Sequence, residues 1–257
     1  MLGSLRIKGI KMYSISRKIL QSLPSACPLC GLGARGGDLC MGCAHDLSRP
    51  LSDRARCQRC FEALATPAVH CSRCERHPPG YASLVAAIDY AYPGDMLIQR
   101  FKEGARLAYA GMFARLLWAR LQGRASECQA IAPFSALVPI PSSQRALKRR
   151  GFNPAGELAR ELARLSGDPI QHTWLTRTRE TITQKTLDAR ARRESVSGLY
   201  ACSNAVPHIW IGVVDDVVTT GSTIDTAAQA LLSAGAAGVV GLAAAHTPRA
   251  WQNAAYD

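Results

Sequence analysis

The sequence predicts an α/β protein in which a small cysteine-rich domain precedes a parallel sheet with helices on both faces. Four C-x-x-C pairs lie in the first third of the chain. After them, short apolar runs alternate with segments whose apolar residues recur at helical spacing, and such alternation is typical of a parallel sheet. The composition, 47% hydrophobic and 19% charged residues, fits a folded protein and argues against a disordered one.

Basic residues are concentrated in two segments that account for the net charge of +12. Residues 1–26 carry five Lys and Arg and no acid, and residues 141–193 carry twelve against five acids. This grouping favours a polyanionic partner such as nucleic acid, a phosphorylated small molecule or an acidic membrane surface; a solvated basic face is the alternative. We expect 1–26 to be a poorly ordered arm and 248–257 a tail. Neither a membrane span nor a signal peptide is predicted, so we expect a cytoplasmic protein.

The cysteine-rich segment 27–77 is predicted to be a double zinc ribbon. Each C-x-x-C turn directs two thiolates toward one tetrahedral ion, and two turns complete a structural zinc site. The segment has few large apolar side chains, so bound metal would replace the missing core. Sequential and interleaved pairings both remain open, and the short loops favour the sequential one. Disulfide-bonded or redox-active pairs are a disfavoured alternative. The predicted ligands are Cys27, Cys30, Cys40, Cys43, Cys57, Cys60, Cys71 and Cys74.

The second predicted domain, 81–247, begins after the Pro-Pro-Gly sequence at 78–80. Its helix over 153–167 has Asn153 as the expected N-cap, Pro154 at the first position and Gly167 as the stop. In chain order, the predicted elements are a strand over 83–92, a helical segment over 93–123 with a break near Gly104, a strand over 134–143, the helix over 153–167, a strand over 208–216, a helix over 222–235 and a strand over 237–246.

The motif GVVDDVVTTGST, residues 212–223, carries the strongest functional signal. Ligands of open α/β sheets bind at the carboxyl ends of strands, and a strand-to-helix turn offers free N–H groups to an anion. Asp215 and Asp216 would repel a phosphate, but they suit vicinal hydroxyls or a divalent cation. Ribose 5-phosphate combines a phosphate with such hydroxyls. A capped turn with two solvated acids is the alternative, but it needs no run of five small or hydroxyl residues.

This motif resembles the site at which type I phosphoribosyltransferases bind phosphoribosyl pyrophosphate (PRPP). Cysteine pairs ahead of such a domain resemble one branch, the ComF/GntX family. The stretches VPIPSSQRALKRRGFN (138–153) and RTRETITQKTLDARARRESVSGLY (177–200) are similar to the same family, and the resemblance runs from about Cys27 to Thr247. It implies a type I phosphoribosyltransferase fold with a Rossmann-like parallel sheet.

The resemblance also implies roles for individual residues. Asp215 and Asp216 would be the catalytic acids and would hold the ribose 2′- and 3′-hydroxyls, directly or through Mg²⁺. A mobile hood over 177–193 would close on the ligand. The 5-phosphate would be bound by Thr219, Thr220, Gly221, Ser222 and Thr223. The pyrophosphate would be bound by Ser142, Ser143, Gln144 and Arg145. Further contacts of the hood or the pyrophosphate would come from Lys148, Arg149, Arg150, Gln184, Arg190, Arg193 and Lys102.

Two functions follow from the resemblance. The first is a PRPP-binding protein of DNA uptake, natural competence or DNA utilisation, with single-stranded DNA and the DNA-uptake machinery at the inner membrane as partners. The second is a phosphoribosyltransferase that transfers ribose 5-phosphate from PRPP to an unknown small acceptor, with purely structural zinc ribbons. A scaffold with a relic PRPP site is a third alternative. Thr219 stands where 6-oxopurine salvage enzymes have an acid, which disfavours purine salvage.

Overall fold

The chain, described here from a computed structural model, divides into two compact units, Met1–Asp46 and Leu47–Asp257. The first 21 residues of the predicted basic arm and the predicted tail beyond residue 248 lie outside the described residues. The last residues of that arm form a strand. The structure describes residues 22–52, 55–103, 107–127, 134–178, 198–202 and 205–248.

The first unit contains a short antiparallel hairpin. Strand β1 (Pro24–Ala26) pairs with β2 (Gly33–Arg35). Between them the chain turns tightly, with Gly31 at a φ of 75° and its N–H bonded to the carbonyl of Cys27 at 3.0 Å. A positive φ of this size is readily adopted only by glycine, so Gly31 suits the turn. Helix α1 (Met41–Ser52) follows.

The second unit begins with another small cysteine-rich segment, which we call the second ribbon and define as residues 55–81. An antiparallel bridge joins Arg56 to Ala63, and helix α2 (Ser72–Arg76) follows. The Arg56 guanidinium forms a two-pronged ion pair with Asp89 at 2.9 and 2.7 Å and lies 5.2 Å from the ring centre of Phe61. Since both charged side chains are largely buried, this pair fastens the second ribbon to the α/β fold.

Four parallel strands form the central sheet in the spatial order β3-β8-β7-β4. Every residue of β8 is buried. Because successive side chains of a strand point to opposite faces, the sheet must be covered on both sides. The predicted α/β class with a parallel sheet is therefore confirmed. The four strands are β3 (Ser83–Asp89), β4 (Ala136–Pro139), β7 (Trp210–Val218) and β8 (Gly238–His246).

Helices connect and cover these strands. The long helix α4 packs on β3 and on α6, and α7 packs on β7 and β8. A small antiparallel pair, β5 with β6, lies outside the main sheet. The remaining elements are α3 (Gly94–Glu103), α4 (Leu107–Glu127), α5 (Gln144–Arg150), α6 (Pro154–Ser166), β5 (Thr176–Arg177), β6 (Tyr200–Ala201) and α7 (Ser222–Ser233). Within the described ranges, none of the helices has the length and hydropathy needed to cross a membrane.

Helix α6 differs from its prediction in the role of one residue. It begins at Pro154 and stops at Gly167, which has a φ of 84°, as predicted. The side chain of Asn153, however, makes no capping hydrogen bond. Its Nδ2 donates to the carbonyl of Ile140 at 2.9 Å, and its Oδ1 accepts from the hydroxyl of Ser142 at 2.8 Å. Asn153 is therefore the N-cap residue by position, as predicted, but its side chain makes no capping bond because these partners in the loop after β4 occupy it.

Candidate functional site

The first cysteine cluster brings together both C-x-x-C turns of the first unit. The sulfur atoms of its four cysteines all lie within 4.8 Å of one another, and those of Cys30 and Cys40 are 3.6 Å apart. Only Cys27 of this set is fully buried. A group of four thiolates at this spacing can hold a tetrahedral metal ion. Its members are Cys27, Cys30, Cys40 and Cys43.

The second cluster lies in the second ribbon and is buried throughout. Its sulfur atoms also lie within 4.8 Å of one another. Hydrogen bonds from the Cys60 thiol and from backbone N–H groups lower the pKa of Cys57 to about 4, although burial opposes this shift. The pKa values of Cys60 and Cys74 are raised instead, so a metal that binds this cluster must displace protons from these thiols. The sequential pairing expected from the short loops is confirmed in both clusters. The members here are Cys57, Cys60, Cys71 and Cys74.

The two acids lie near the end of β7, beside each other. Asp215 is buried, with 9% of its surface exposed, and Asp216 is partly exposed. Each carboxylate accepts the N–H of the following residue at 2.8 Å. Burial raises the pKa of Asp215 well above its usual value, and the neighbouring charge of Asp216 raises it further. The Asp215 carboxylate is therefore electrostatically strained in its ionised form. A cation or hydroxyl donors close to it would relieve this strain.

Lys102, which the resemblance gives as a contact of the hood or the pyrophosphate, lies against these acids. Its Nζ is 3.2 Å from Oδ2 of Asp216. Lys102 stands in the last turn of α3, which follows β3, and β3 ends at the same edge of the parallel sheet as β7. The ammonium group compensates one of the two carboxylates and leaves Asp215 as the less stabilised acid.

The turn from β7 into α7, residues Thr219–Thr223, is the candidate anion site, and we call it the anion cradle. Gly221 adopts a φ of 79° and allows α7 to begin at Ser222. The hydroxyls of Thr220 and Ser222 are 2.8 Å apart. Within the described part of the chain, the N–H groups of four residues around the turn have no acceptor, and free amides of this kind bind anions. These residues are Thr220, Gly221, Thr223 and Ile224.

Gly221 is enclosed by the phenol of Tyr81, and this contact gives a testable prediction. A Cβ atom at Gly221 would lie 2.5 Å from Oη of Tyr81, which is almost fully buried. We expect Gly221→Ala to destabilise the fold by about 2–5 kcal/mol, because left-handed strain and overpacking act together. Chemical denaturation measures this cost.

The matched background for this prediction is Tyr81→Phe. Without the hydroxyl, the nearest ring atom to the new Cβ is 3.5 Å away, an ordinary contact. The cost of Gly221→Ala should then fall to the backbone contribution, about 1–2 kcal/mol. An equal cost in both backgrounds would show that the phenol does not enclose the turn.

The loop after β4 lies beside the acids. Pro139 pairs with Val214 in the sheet, and the N–H of Ile140 donates to the carbonyl of Val214 at 2.8 Å. Ser143 caps α5 by accepting from the N–H of Ala146 at 3.1 Å. No residue of α5 is buried. Within the described ranges, no ion pair involves the basic residues of this helix, which are Arg145, Lys148, Arg149 and Arg150.

The predicted hood is only partly described. Gln184, Arg190 and Arg193 lie outside the described residues. At the described ends of this segment, the guanidinium of Arg177 lies 5.9 Å from the ring centre of Tyr200. Burial raises the pKa of Tyr200, and the charge of Asp215 adds to this effect. The described residues that flank the predicted hood, Arg177 and Tyr200, therefore lie within electrostatic range of Asp215.

Sequence reasoning missed two residues beside the cradle. One is Tyr81, described above, and the other is Arg73 of helix α2. Nη2 of Arg73 donates to the carbonyl oxygen of Thr220 at 2.9 Å across 147 residues of chain. No local pattern distinguishes this arginine from the others in the cysteine-rich segment. A small cleft lies here, lined by Cys60, Glu62, Arg73, Thr219, Thr220, Gly221 and His246.

The chain is similar to bacterial proteins that are named for DNA utilization or for competence. It is 34% identical over 220 residues to the DNA utilization protein YhgH of Salmonella typhimurium, covering 85% of this chain and 95% of that protein. It is 34% identical over 224 residues to the YhgH protein of Escherichia coli K12, with the same coverage. It is 30% identical over 200 residues to Competence protein F of Haemophilus influenzae, covering 77% and 85%. No protein-family model matches it.

Proposed function

The chain belongs to the ComF/GntX family, and from this premise we propose that it binds PRPP in the anion cradle and serves in DNA uptake or utilisation. The proposed role in DNA uptake or utilisation is inferred from the names of its relatives, a DNA utilization protein and a competence protein. One observation carries the PRPP proposal: two adjacent carboxylates near the end of β7 are followed by free amides around Gly221. PRPP presents a phosphate and a pair of ribose hydroxyls, which are the groups that such amides and carboxylates suit.

The acids would receive the ribose. Because the pKa of Asp215 is raised by burial and by Asp216, bringing ribose hydroxyls or a divalent cation to this pair removes an existing electrostatic cost. The donor set therefore suits Mg²⁺, which prefers carboxylate oxygens and substrate phosphates. Asp215 and Asp216 would hold the ion, which supplies positive charge near the pyrophosphate. Lys102 would hold the Asp216 carboxylate in place through their ion pair.

The pyrophosphate would lie toward the loop after β4. The four residues of the predicted pyrophosphate loop lead into the exposed basic helix α5, in which Arg149 and Arg150 follow. Of these four, Gln144 and Arg145 begin the helix, and Ser142 and Ser143 precede it. Cations at this position stabilise a leaving group that carries several negative charges. This arrangement also favours the alternative function, transfer of ribose 5-phosphate to a small acceptor. Release of pyrophosphate from PRPP when candidate acceptors are added would identify that activity.

We further propose that both cysteine clusters hold Zn²⁺. Four cysteine sulfurs within 4.8 Å form the donor set that structural zinc prefers, and thiolates select against Mg²⁺ or Ca²⁺. The ions would stabilise two small segments that have little apolar core of their own.

Single-stranded DNA is the proposed macromolecular partner, with the DNA-uptake machinery at the inner membrane as the proposed cellular context. The net charge of +12 and the exposed cations of α5 support contact with phosphates. The affinity for single-stranded DNA should fall steeply as the salt concentration rises from about 50 to 200 mM, because counterions are released on binding. An affinity independent of salt would contradict this electrostatic contact.

Calorimetric titration of PRPP with Mg²⁺ tests the proposed site. We expect binding to the wild type and loss of binding in the double variant Asp215→Ala/Asp216→Ala. Glu75→Ala removes an exposed acid from α2 and serves as the control. Single-stranded DNA should bind all three proteins, since the cations proposed to attract it lie elsewhere. Equal loss of PRPP and DNA binding in the double variant would contradict a DNA contact that does not depend on the two acids.

A further inference from the structure

The second ribbon contacts the anion cradle through Arg73. This side chain is partly buried, and the carbonyl of Thr220 is the hydrogen-bond acceptor that the structure gives it. Arg73 lies between two metal-ligand positions, Cys71 and Cys74. Its backbone is held in a tight turn, because the N–H of Glu75 donates to the carbonyl of Cys71 and the N–H of His77 to that of Arg73. The cysteine cluster and this turn thus set where the backbone of Arg73 lies, within reach of the cradle.

The contact fixes the orientation of one peptide group. A trans peptide is planar, so its C=O and N–H point in opposite directions. Because Arg73 holds the carbonyl of Thr220 toward the ribbon, the N–H of Gly221 in the same peptide must point away from Arg73. That N–H is one of the amides that have no acceptor among the described residues. The residues of the cradle are themselves uncharged and supply no side chain that could hold this peptide by an ionic contact.

Two further contacts from the exit of the ribbon support the same part of the structure. The N–H of Gly80 donates to Oδ1 of Asp225, in the first turn of α7, at 2.7 Å. The phenol of Tyr81 closes on Gly221. The second ribbon therefore contacts the anion cradle at the carbonyl of Thr220 and at Gly221. It also contacts α7, the helix that follows the cradle, at Asp225.

We propose that Arg73 is a positioning residue for the sugar phosphate: from the second ribbon it holds the Thr220–Gly221 peptide so that the N–H of Gly221 faces the 5-phosphate. This inference rests on the proposed function. It makes the second metal cluster part of the ligand site, since the cluster sets the position of the arginine. The first cluster has no such part in the proposal.

The test compares two ligands that each carry one end of PRPP. Ribose 5-phosphate reports on the cradle, and pyrophosphate with Mg²⁺ reports on the loop after β4. We expect Arg73→Ala to weaken ribose 5-phosphate about tenfold, because a charge-assisted hydrogen bond is lost, and to change pyrophosphate affinity less than about twofold. Arg73→Lys, which keeps a cationic donor, should recover part of the loss.

The matched control is Arg76→Ala, which removes the same charge from the same helix. The Nε of Arg76 bonds only to the carbonyl of Ser72, one turn earlier in α2, among the contacts that the structure gives it. We expect this variant to bind both ligands as the wild type does. The inference is overturned if Arg73→Ala matches Arg76→Ala with ribose 5-phosphate, or if it weakens both ligands equally. Metal content is measured throughout, and if Arg73→Ala loses metal, Arg73→Met, which keeps the aliphatic stem but has no donor, takes its place in these comparisons.

Amide hydrogen exchange separates failure of this inference from failure of the proposed function. If the wild type binds neither PRPP nor ribose 5-phosphate, the proposed function is wrong. Exchange at Ser222 and Asp225, whose N–H groups bond to Oγ1 of Thr220 and to the carbonyl of Gly221, still tests the positioning contact without a ligand. We expect faster exchange there in Arg73→Ala than in Arg76→Ala, and equal exchange would overturn the role of Arg73.

Discussion

Cys60→Ser is expected to release the metal of the second cluster and to lower the thermal stability of the whole second unit. This cluster forms the core of its segment, with Leu64 packed against its four cysteines. Structural zinc contributes about 10 kcal/mol or more in small zinc-dependent folds, which is comparable with the stability of an entire domain. The measurements are metal content per chain and thermal unfolding followed by circular dichroism.

The effect should spread into the sheet because the second ribbon is fastened to it. Arg56 pairs with Asp89 at the end of β3, and the ring of Phe61 lies edge-on to His246 at 5.9 Å. Cys30→Ser in the first cluster is the matched control. It should also lose one metal ion, but it should leave the unfolding of the second unit nearly unchanged. Equal loss of stability in the two variants would contradict a special role for the second ribbon.

Asp215→Asn is expected to abolish PRPP binding while making the ligand-free protein more stable at neutral pH. The folded state raises the pKa of Asp215, chiefly through burial. The stability that this residue contributes is therefore present below its unfolded pKa, about 3.9, and is lost as pH rises through the folded value. Asparagine keeps the shape and can still accept the N–H of Asp216, but it carries no charge.

Thermal unfolding across a pH series checks the stability part of this prediction. Each unit by which the folded pKa exceeds the unfolded one corresponds to about 1.4 kcal/mol at neutral pH. The curves of Asp215→Asn and wild type should meet at acidic pH and separate as pH rises, with the variant more stable. Asp216→Asn is the comparison: it removes the charge beside Asp215 but leaves Lys102 without its carboxylate, so it should gain less stability than Asp215→Asn. A wild type that is more stable than Asp215→Asn at neutral pH would contradict the claim that the ionised Asp215 carboxylate destabilises the folded state.

The sequence predicted the features that depend on short-range pattern. The C-x-x-C spacing predicted both clusters, and short loops predicted their sequential pairing, since nearby turns meet at low entropic cost. The order of strands and helices followed from hydrophobic period and from stop residues such as Gly167. The acids were expected at the end of their strand. Strand β7 instead continues to Val218, because the ladder with β8 extends through His246.

The sequence could not predict contacts that arise only after folding. The bond from Arg73 to Thr220 spans 147 residues, and no local pattern specifies its partner. The phenol of Tyr81 meets Gly221 only because the exit of the second ribbon runs along α7. Asn153 was predicted as a cap from its local sequence, but tertiary partners in the loop after β4 bind its side chain. Each of these contacts lies next to the proposed ligand.

A crystal structure determined with PRPP and Mg²⁺ tests the central claim most directly. We predict that 5-phosphate oxygens lie about 2.7–3.2 Å from the amide nitrogens of Gly221 and Thr223, at ordinary hydrogen-bond distance. The ribose hydroxyls or the metal ion should face Asp215 and Asp216. PRPP bound away from the turn between β7 and α7, with the amides of that turn making no contact to it, would contradict the account.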